Sequence, residues 1–221
     1  MGVLKTLTYE YFGETIREED KIDISDLDVE IVSFKDNNGK FHKHGYKVID
    51  NDNPNEMTKT LTILIETIIE KRGNECSLND IDVSNIKQMY YEEYFIYGVF
   101  YNSPFNGDIS GWDVSNVEDM RYMFDDSDFN GNISKWNVQK VKSMRCMFHL
   151  SKFTGENGIF KLKKGNVVKT IDDMFNKSDF NANIEDWVVN DNCRRFQTFF
   201  DCPLEINNNI PSWGTKNIFG K

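Results

Sequence analysis

A pattern of twenty residues occurs twice in the middle of the chain and constrains its fold more than any other feature. The first copy, FNGDISGWDVSNVEDMRYMF, begins at Phe105, and the second, FNGNISKWNVQKVKSMRCMF, begins 24 residues later at Phe129. Apolar residues recur in the same order, so that the first copy contains Phe105, Ile109, Trp112, Val114, Val117, Met120, Met123 and Phe124. A fixed period in the twenties is typical of stacked repeats of the leucine-rich type.

Weaker copies flank this pair. A partial copy begins at Leu78, and a copy with a three-residue insertion runs from Phe153 to Phe175 with Leu162 in place of the tryptophan. A last copy starts at Leu204 and stops near Trp213. Before it, one copy restores the apolar pattern with Phe180, Ile184, Trp187, Cys193, Phe196, Phe199 and Phe200.

Each repeat divides into two parts. A short strand is predicted around Ile109, with one apolar residue pointing inward and its neighbours outward. Ser115 or Asn116 can then cap a predicted turn of helix, whose apolar face holds Val117, Met120 and Phe124. The sequence therefore predicts an α/β fold, a short leucine-rich-repeat-like solenoid with a parallel strand and a short helix in each repeat of about 24–27 residues.

A β-hairpin is predicted before the repeats. The segment Asp28–Phe34 alternates and is rich in β-branched residues, Asp36–Gly39 has turn chemistry, and Phe41–Ile49 returns as a second strand. His42 and His44 lie two residues apart on that strand, and we interpret them as solvated edge-strand side chains rather than metal ligands.

The clearest helix is Met57–Arg72, which carries one apolar stripe and is followed by Gly73. We predict that it caps the first repeat, because the end of a repeat stack exposes apolar surface. Residues 3–20 have apolar spacings that a helix could use. The predicted division is a hairpin region at 1–56, the capping helix and its connection at 57–77, repeats at 78–213 and a tail at 214–221.

Composition excludes several classes of function. The chain has 26 Lys and Arg against 36 Asp and Glu, so generic nucleic-acid binding is disfavoured. It contains no apolar run long enough to cross a membrane and no visible secretory signal. The protein is therefore expected in the cytoplasm or in a particle, or at the cell surface if a signal was removed. The four cysteines form no CxxC pair and are interpreted as buried free thiols.

The repeat carries a family likeness. The first copy, together with the preceding LNDIDVSNI and the helix TLTILIETIIEKRG, resembles the BspA-like family of leucine-rich-repeat surface proteins. That repeat is also catalogued as a domain of unknown function in mycoplasma surface lipoproteins. The resemblance covers residues 57 to about 213. It implies a repeat solenoid and a binding role, such as adhesion to host proteins or to other protein partners, without catalytic residues.

Motifs for chemistry are absent from the sequence. It contains no GxGxxG or GxxxxGK[ST] loop, no HExxH and no zinc-type cysteine spacing. We therefore expect no enzyme activity, no cofactor and no metal. An enzyme that uses residues 1–56 is a third, disfavoured alternative, and it would require a deep pocket at the cap.

Two surfaces are candidates for partner binding. The first is a polar strip along the predicted strands, formed by Asp108, Ser110, Asn132, Ser134, Asn183 and Glu185. The second is an aromatic insertion at 90–104 that departs from the repeat, with Tyr94, Tyr97 and Tyr101 as candidate anchors. Simple solvation of the sheet remains the alternative for the strip, and a structural joint between cap and repeats remains the alternative for the insertion.

Two functions follow from these observations. The first is a non-catalytic protein-interaction module, with a protein partner or self-association and a possible link to adhesion. The alternative is a structural subunit of a larger assembly, such as a virus or phage particle or a surface layer.

Overall fold

The computed structural model describes residues 22–93 and 95–214. Residues 3–20, whose spacing could form a helix, and Tyr94 lie outside the described residues. The elements in chain order are β1 (Val29–Lys35), β2 (Phe41–Val48), α1 (Pro54–Arg72), β3 (Ile81–Asp82), β4 (Tyr90–Glu92), β5 (Ile96–Gly98) and α2 (Pro203–Ile206).

The N-terminal hairpin is present and joins the first repeat. β1 and β2 pair antiparallel, with Val29 opposite Val48, around a turn in which the Asp36 N–H bonds the Lys40 carbonyl at 3.0 Å. β2 also pairs parallel with β3, where Tyr46 lies opposite Ile81. The three-stranded sheet therefore continues from the hairpin into the repeat region, and the buried residues of both form one hydrophobic cluster.

α1 ends at the predicted residue, Arg72, but begins at Pro54, three residues before the predicted Met57. The Asn53 side chain accepts the N–H of Asn55 at 3.1 Å, and Pro54 occupies the first turn, where its missing N–H costs nothing. At the other end the Gly73 N–H bonds the Ile69 carbonyl, with a φ of 87° at the glycine. The apolar stripe is buried at Leu61, Leu64, Ile65 and Ile68.

The predicted solenoid of one strand and one short helix per repeat is wrong. Residues 99–202, all of which are described, contain turns and single β-bridges but no helix and no strand. The two sheets are small, one of three strands and one of two, and both lie before residue 99. The helical spacing of Val117, Met120 and Phe124 reflects three inward positions on successive tight turns.

Hydrogen bonds between layers replace the helix. Every second backbone N–H from Met120 to Asp126 donates to a carbonyl of the following repeat, at 2.8–3.0 Å, and the pattern returns from Met144 to Leu150. Parallel bridges mark the same stacking, linking Gln88 to Asp119, Asp119 to Ser143, Ser143 to Thr170 and Thr170 to Arg194. These N–H groups are directed to the next layer, so they are not available for bonds within a helix.

Left-handed residues interrupt each layer. Two non-glycine residues four positions apart have φ between 49° and 58°, and they recur as Tyr122 and Asp126, Cys146 and Leu150, Asp173 and Lys177, and Gln197 and Asp201. A helix cannot pass through a left-handed residue, because its carbonyl then points away from the helix axis. These turns orient alternate N–H groups towards the neighbouring repeat.

Aromatic rings fill the space enclosed by the layers. One column stacks Phe124 on Phe148 with ring centroids 5.3 Å apart, and Phe148 on Phe175 at 5.7 Å. Phe148 also stacks on Phe153 of a second column at 4.1 Å. Both columns are fully buried, so burial of these rings provides most of the apolar contact between repeats.

The tryptophans form a third column, and here the predicted register is partly wrong. Trp112 stacks on Trp136 at 6.5 Å. In the copy with the insertion Phe160 is buried and stacks on Trp187 at 5.5 Å, whereas the neighbouring Ile159 is only partly buried. In the following copy Phe199 occupies the first column. Phe196 and Phe200, predicted to be core, are 49% and 43% exposed.

Phe148 provides a test of the aromatic columns. We expect Phe148→Ala to lower the free energy of unfolding by about 3–5 kcal/mol, because the cavity lies between three stacked rings. Urea unfolding followed by tryptophan fluorescence measures it. Phe41→Ala, at a side chain that is 57% exposed, is the control and should change stability by less than about 0.5 kcal/mol. Equal losses of stability in Phe148→Ala and Phe41→Ala would contradict the proposed role of the aromatic columns.

A second prediction concerns the left-handed turns. Leu150 has a φ of 56° and is 45% exposed, so Leu150→Gly removes backbone strain with little loss of packing. We expect it to raise the free energy of unfolding by roughly 0.5–1 kcal/mol. Val167 is equally exposed but has a negative φ, and Val167→Gly should lower stability by about 1 kcal/mol. A decrease in both variants would refute the proposed strain.

Candidate functional site

The polar strip lies at one corner of the layers, where its side chains make local turns. The same hydrogen bond, 2.9 Å long, recurs in three layers, from Ser110 N–H to Asp108, from Ser134 N–H to Asn132 and from Glu185 N–H to Asn183. In each case a side-chain oxygen takes the place of a backbone carbonyl two residues earlier, as in an Asx turn. Asp and Asn at these positions therefore stabilise local turns whether or not a partner binds.

The hairpin turn covers the N-terminal end of the strip. The Asn37 N–H bonds the Gly111 carbonyl at 2.7 Å, and the Asn38 amide bonds the Ser110 hydroxyl at 2.9 Å. Lys135 donates to the Asn38 side-chain oxygen at 2.8 Å. Ser110 is thus occupied by the protein's own hairpin.

A buried hydrogen-bonded pair of side chains supports this turn. His42 Nε2 lies 2.9 Å from Asp36 Oδ2, with the two side chains 9% and 2% exposed, so the interpretation of His42 as a solvated histidine is wrong. The other oxygen of Asp36 accepts the N–H groups of Asn38 and Lys40. Burial acts to raise the pKa of Asp36, but the hydrogen bonds from His42 and from the backbone outweigh it, and the pKa is lowered.

The C-terminal end of the strip borders an open groove of about 560 Å³. Asn183 and Glu185 line it together with the ion pair of Lys161 and Asp186. Glu185 also accepts the Ser212 N–H at 2.8 Å and the Ser212 hydroxyl, and these bonds lower its pKa. The predicted strip therefore has one end that the hairpin turn covers and one end that borders an open groove, with Asn132 and Ser134 exposed between them.

The aromatic insertion forms a second hairpin. β4 and β5 pair antiparallel, with Tyr91 opposite Tyr97. The hairpin is attached to α1, where Asn55 exchanges two hydrogen bonds with the Glu92 backbone at 2.6 and 3.0 Å. Thr58 of α1 donates to the Gln88 carbonyl at 2.8 Å. The insertion is thus held against α1 on its β4 side, from Gln88 at its base to Glu92 beside its tip.

Four aromatic rings cluster on this hairpin, of which Phe95 and Tyr101 are exposed and Tyr91 and Tyr97 are half-buried. We call Tyr91, Phe95, Tyr97 and Tyr101 the aromatic surface. Tyr91 stacks on Tyr97 at 5.4 Å, while Phe95 and Tyr101 meet Tyr97 edge-on at 6.5 and 5.7 Å. Phe95 is 72% exposed and Tyr101 is 44% exposed. Large apolar side chains this open on a rigid hairpin are available for contact with another molecule.

A groove separates the aromatic surface from α1. Its volume is about 460 Å³, and its walls include Glu66 and Glu70 of the helix and Tyr91, Tyr97 and Tyr101 of the insertion. The sequence predicted Tyr97 and Tyr101 but missed Phe95, Glu66 and Glu70. The two glutamates are four residues apart on one helical face, a signal that gains meaning only once the insertion is known to lie beside it.

The described residues contain no group of three or more His, Cys, Asp and Glu side chains that could hold a metal ion. All four cysteines are free thiols. Burial raises the pKa of Cys146 and of Cys193 to about 11, so both are protonated at neutral pH. In the described part of the chain, no helix is both long and apolar enough to cross a bilayer.

These features define a repeat protein with an N-terminal hairpin, a capping helix and an aromatic insertion. Residues 65–166 and 159–220 match the family described as "Mycoplasma protein of unknown function, DUF285", and the matches together span more than half of the 221 residues. The chain belongs to this family, which confirms the mycoplasma part of the predicted resemblance. Comparison with curated proteins and with solved structures gives no match.

The buried pair at the hairpin turn gives a pH-dependent prediction. Because the pKa of Asp36 is lowered by folding, its ionised form stabilises the native state above the ordinary value of about 3.9, and this contribution is lost as pH falls through the folded-state pKa. We expect Asp36→Asn to cost about 1–3 kcal/mol at pH 6 and less below pH 3.5.

Urea unfolding between pH 3 and pH 7 measures this difference. Glu30→Gln is the matched control, because Glu30 lies on the exposed face of β1 in the same hairpin. The prediction fails if the cost of Asp36→Asn is independent of pH or equals that of the control.

Proposed function

We propose that the protein is a non-catalytic interaction module of a surface-associated repeat protein, and that it binds a protein partner through the aromatic surface. The observation that carries this proposal is Phe95, which lies 72% exposed between Glu93 and Ile96 at the end of a hairpin. Leaving a phenylalanine in water forgoes about 1.5–3 kcal/mol of burial, which a partner that covers the ring would recover.

The position of the insertion supports this choice. It interrupts the first repeat, where Met89 and Val99 are joined by a backbone hydrogen bond of 3.1 Å that closes the base of the hairpin. Hydrogen bonds to the next repeat flank the insertion on both sides, from the Met89 N–H to the Asp119 carbonyl and from the Phe100 N–H to the Met123 carbonyl, both at 2.9 Å. Rings on a fixed base lose little freedom on binding, and aromatic side chains are frequent anchors of protein interfaces.

The polar strip is the weaker candidate. Its N-terminal end is covered by the hairpin turn, and Asp108, Asn132 and Asn183 are engaged in Asx turns. Substitution there would change local turns as well as any partner contact. The aromatic surface offers side chains that can be replaced without such damage.

Site-specific cross-linking tests the proposal. We place p-benzoylphenylalanine at the position of Phe95, irradiate the protein in an extract of the cells that produce it, and identify the cross-linked proteins by mass spectrometry. We expect a defined partner from this position. The same substitution at Phe41, which is 57% exposed on the other hairpin, is the control and should not capture that partner.

A double variant, Phe95→Ala with Tyr101→Ala, should then reduce binding of the captured partner by at least about tenfold without changing the thermal unfolding temperature. Identical cross-linked proteins from positions 95 and 41, or undiminished binding by the double variant, would refute the aromatic surface as the interface. Cross-links between copies of this chain alone would instead identify self-association as the role of that surface.

A further inference from the structure

The groove beside the aromatic surface combines rings with carboxylates. One wall is the α1 face that includes Ile65, Glu66, Ile69 and Glu70, and the opposite wall is built by Tyr91, Tyr97 and Tyr101. Its volume of about 460 Å³ falls within the range of small ligand sites. The groove is thus partly apolar and partly acidic, and its tyrosine wall belongs to the surface proposed to meet the partner.

The groove carries the negative charge of Glu66 and Glu70, and the described residues do not neutralise it through ion pairs. Burial raises the pKa of Glu66, and burial followed by the negative charge of Glu66 raises the pKa of Tyr91, which places this carboxylate near the ring. Among the described residues, no lysine or arginine forms an ion pair with Glu66 or Glu70. The nearby Lys59 is paired with Glu93, and Arg72 is paired with Asp80 at 2.8 Å.

Aromatic walls with a partly buried carboxylate attract organic cations. The face of a tyrosine ring carries negative potential, and a cation within about 6 Å of its centroid is stabilised. Tyr97 and Tyr101, whose ring planes meet at 73°, both line the groove. A bare metal ion fits poorly, because ring faces supply no ligand atoms.

We infer that this groove binds a lysine or arginine side chain of the protein partner. The inference rests on the proposed function, because it assigns the partner's chemistry at the same surface. The methylene stem of the basic residue packs against Tyr97 and Ile69, while its charged group lies between the rings and Glu66. A partner of this kind also complements the net charge of −10 of the chain.

Titration with a short peptide tests the inference. The probe is acetyl-Gly-Arg-Gly-amide, with the lysine peptide as a second probe and the citrulline peptide, neutral but of similar shape, as a control. Ring resonances of the tyrosines are followed by NMR. We expect saturable shifts at Tyr91, Tyr97 and Tyr101 with the two basic peptides and none with citrulline.

Variants locate the site. Glu66→Gln with Glu70→Gln should weaken binding of the arginine peptide about two- to fivefold, on the scale of an exposed ion pair. Tyr97→Phe should retain binding because the ring face remains. Glu156→Gln, at an exposed glutamate of a distant layer, should have no effect. Equal shifts with citrulline, no saturation by either basic peptide, or unchanged binding by the glutamine variant would overturn the inference.

Two further outcomes separate this inference from the proposed function. If tetramethylammonium saturates the groove and the basic peptides do not, the site binds a quaternary ammonium group and the basic side chain is refuted. If the partner cross-linked at position 95 still binds the Glu66→Gln, Glu70→Gln variant with unchanged affinity, the aromatic surface is retained as the interface and only the role of the groove is refuted.

Discussion

Hydrogen bonds from each repeat to the next are the constraint on which the structure depends. Every second N–H between Met120 and Asp126 donates forward to the following layer, and the same bonds return from Met144 to Leu150. Parallel rings can stack only because this ladder keeps the layers in register, with phenylalanine centroids 5.3–5.9 Å apart along the first column. The ladder requires alternate residues to turn outward, which explains the pairs of left-handed residues and the absence of helices from residues 99–202.

The capping elements solve the problem of the first layer. β2 adds to β3 as a parallel neighbour, and Thr58 of α1 supplies a hydroxyl to the Gln88 carbonyl, which no earlier repeat can reach. The hairpin turn then lies over Ser110 and Gly111, supported by the buried pair of Asp36 and His42. Closing this end occupies part of the polar strip, and it leaves the aromatic insertion as the surface that the stacking does not use.

Function in this protein is therefore proposed at an irregularity of the repeat. Residues at the repeated positions either pack in the aromatic columns or form the turns between layers. Substitution of such a residue therefore alters the stability of the fold first. The insertion between Met89 and Val99 has no counterpart in the other described layers, and bonds to the next repeat flank it at Met89 and Phe100. Its contact with α1 creates the acidic groove, in which Glu66 gains a role that its helix alone would not give it.

The sequence alone determined the local elements and the identity of most core residues. Gly73 marks the end of α1, Asp36–Gly39 marks the hairpin turn, and the recurring Phe, Trp and Met positions are buried because apolar side chains at a fixed period must share one interior. Only the tertiary structure decided how the backbone of each repeat is satisfied. Apolar residues spaced three and four apart suit a helix and a run of tight turns equally well. Which of the two forms depends on whether the backbone N–H groups donate to carbonyl oxygens 23–26 residues away. Tertiary contacts also decided that Phe160 is buried and that Phe196 is exposed. They likewise placed His42 against Asp36 and Glu66 beside Tyr91, neighbours that the local sequence does not predict.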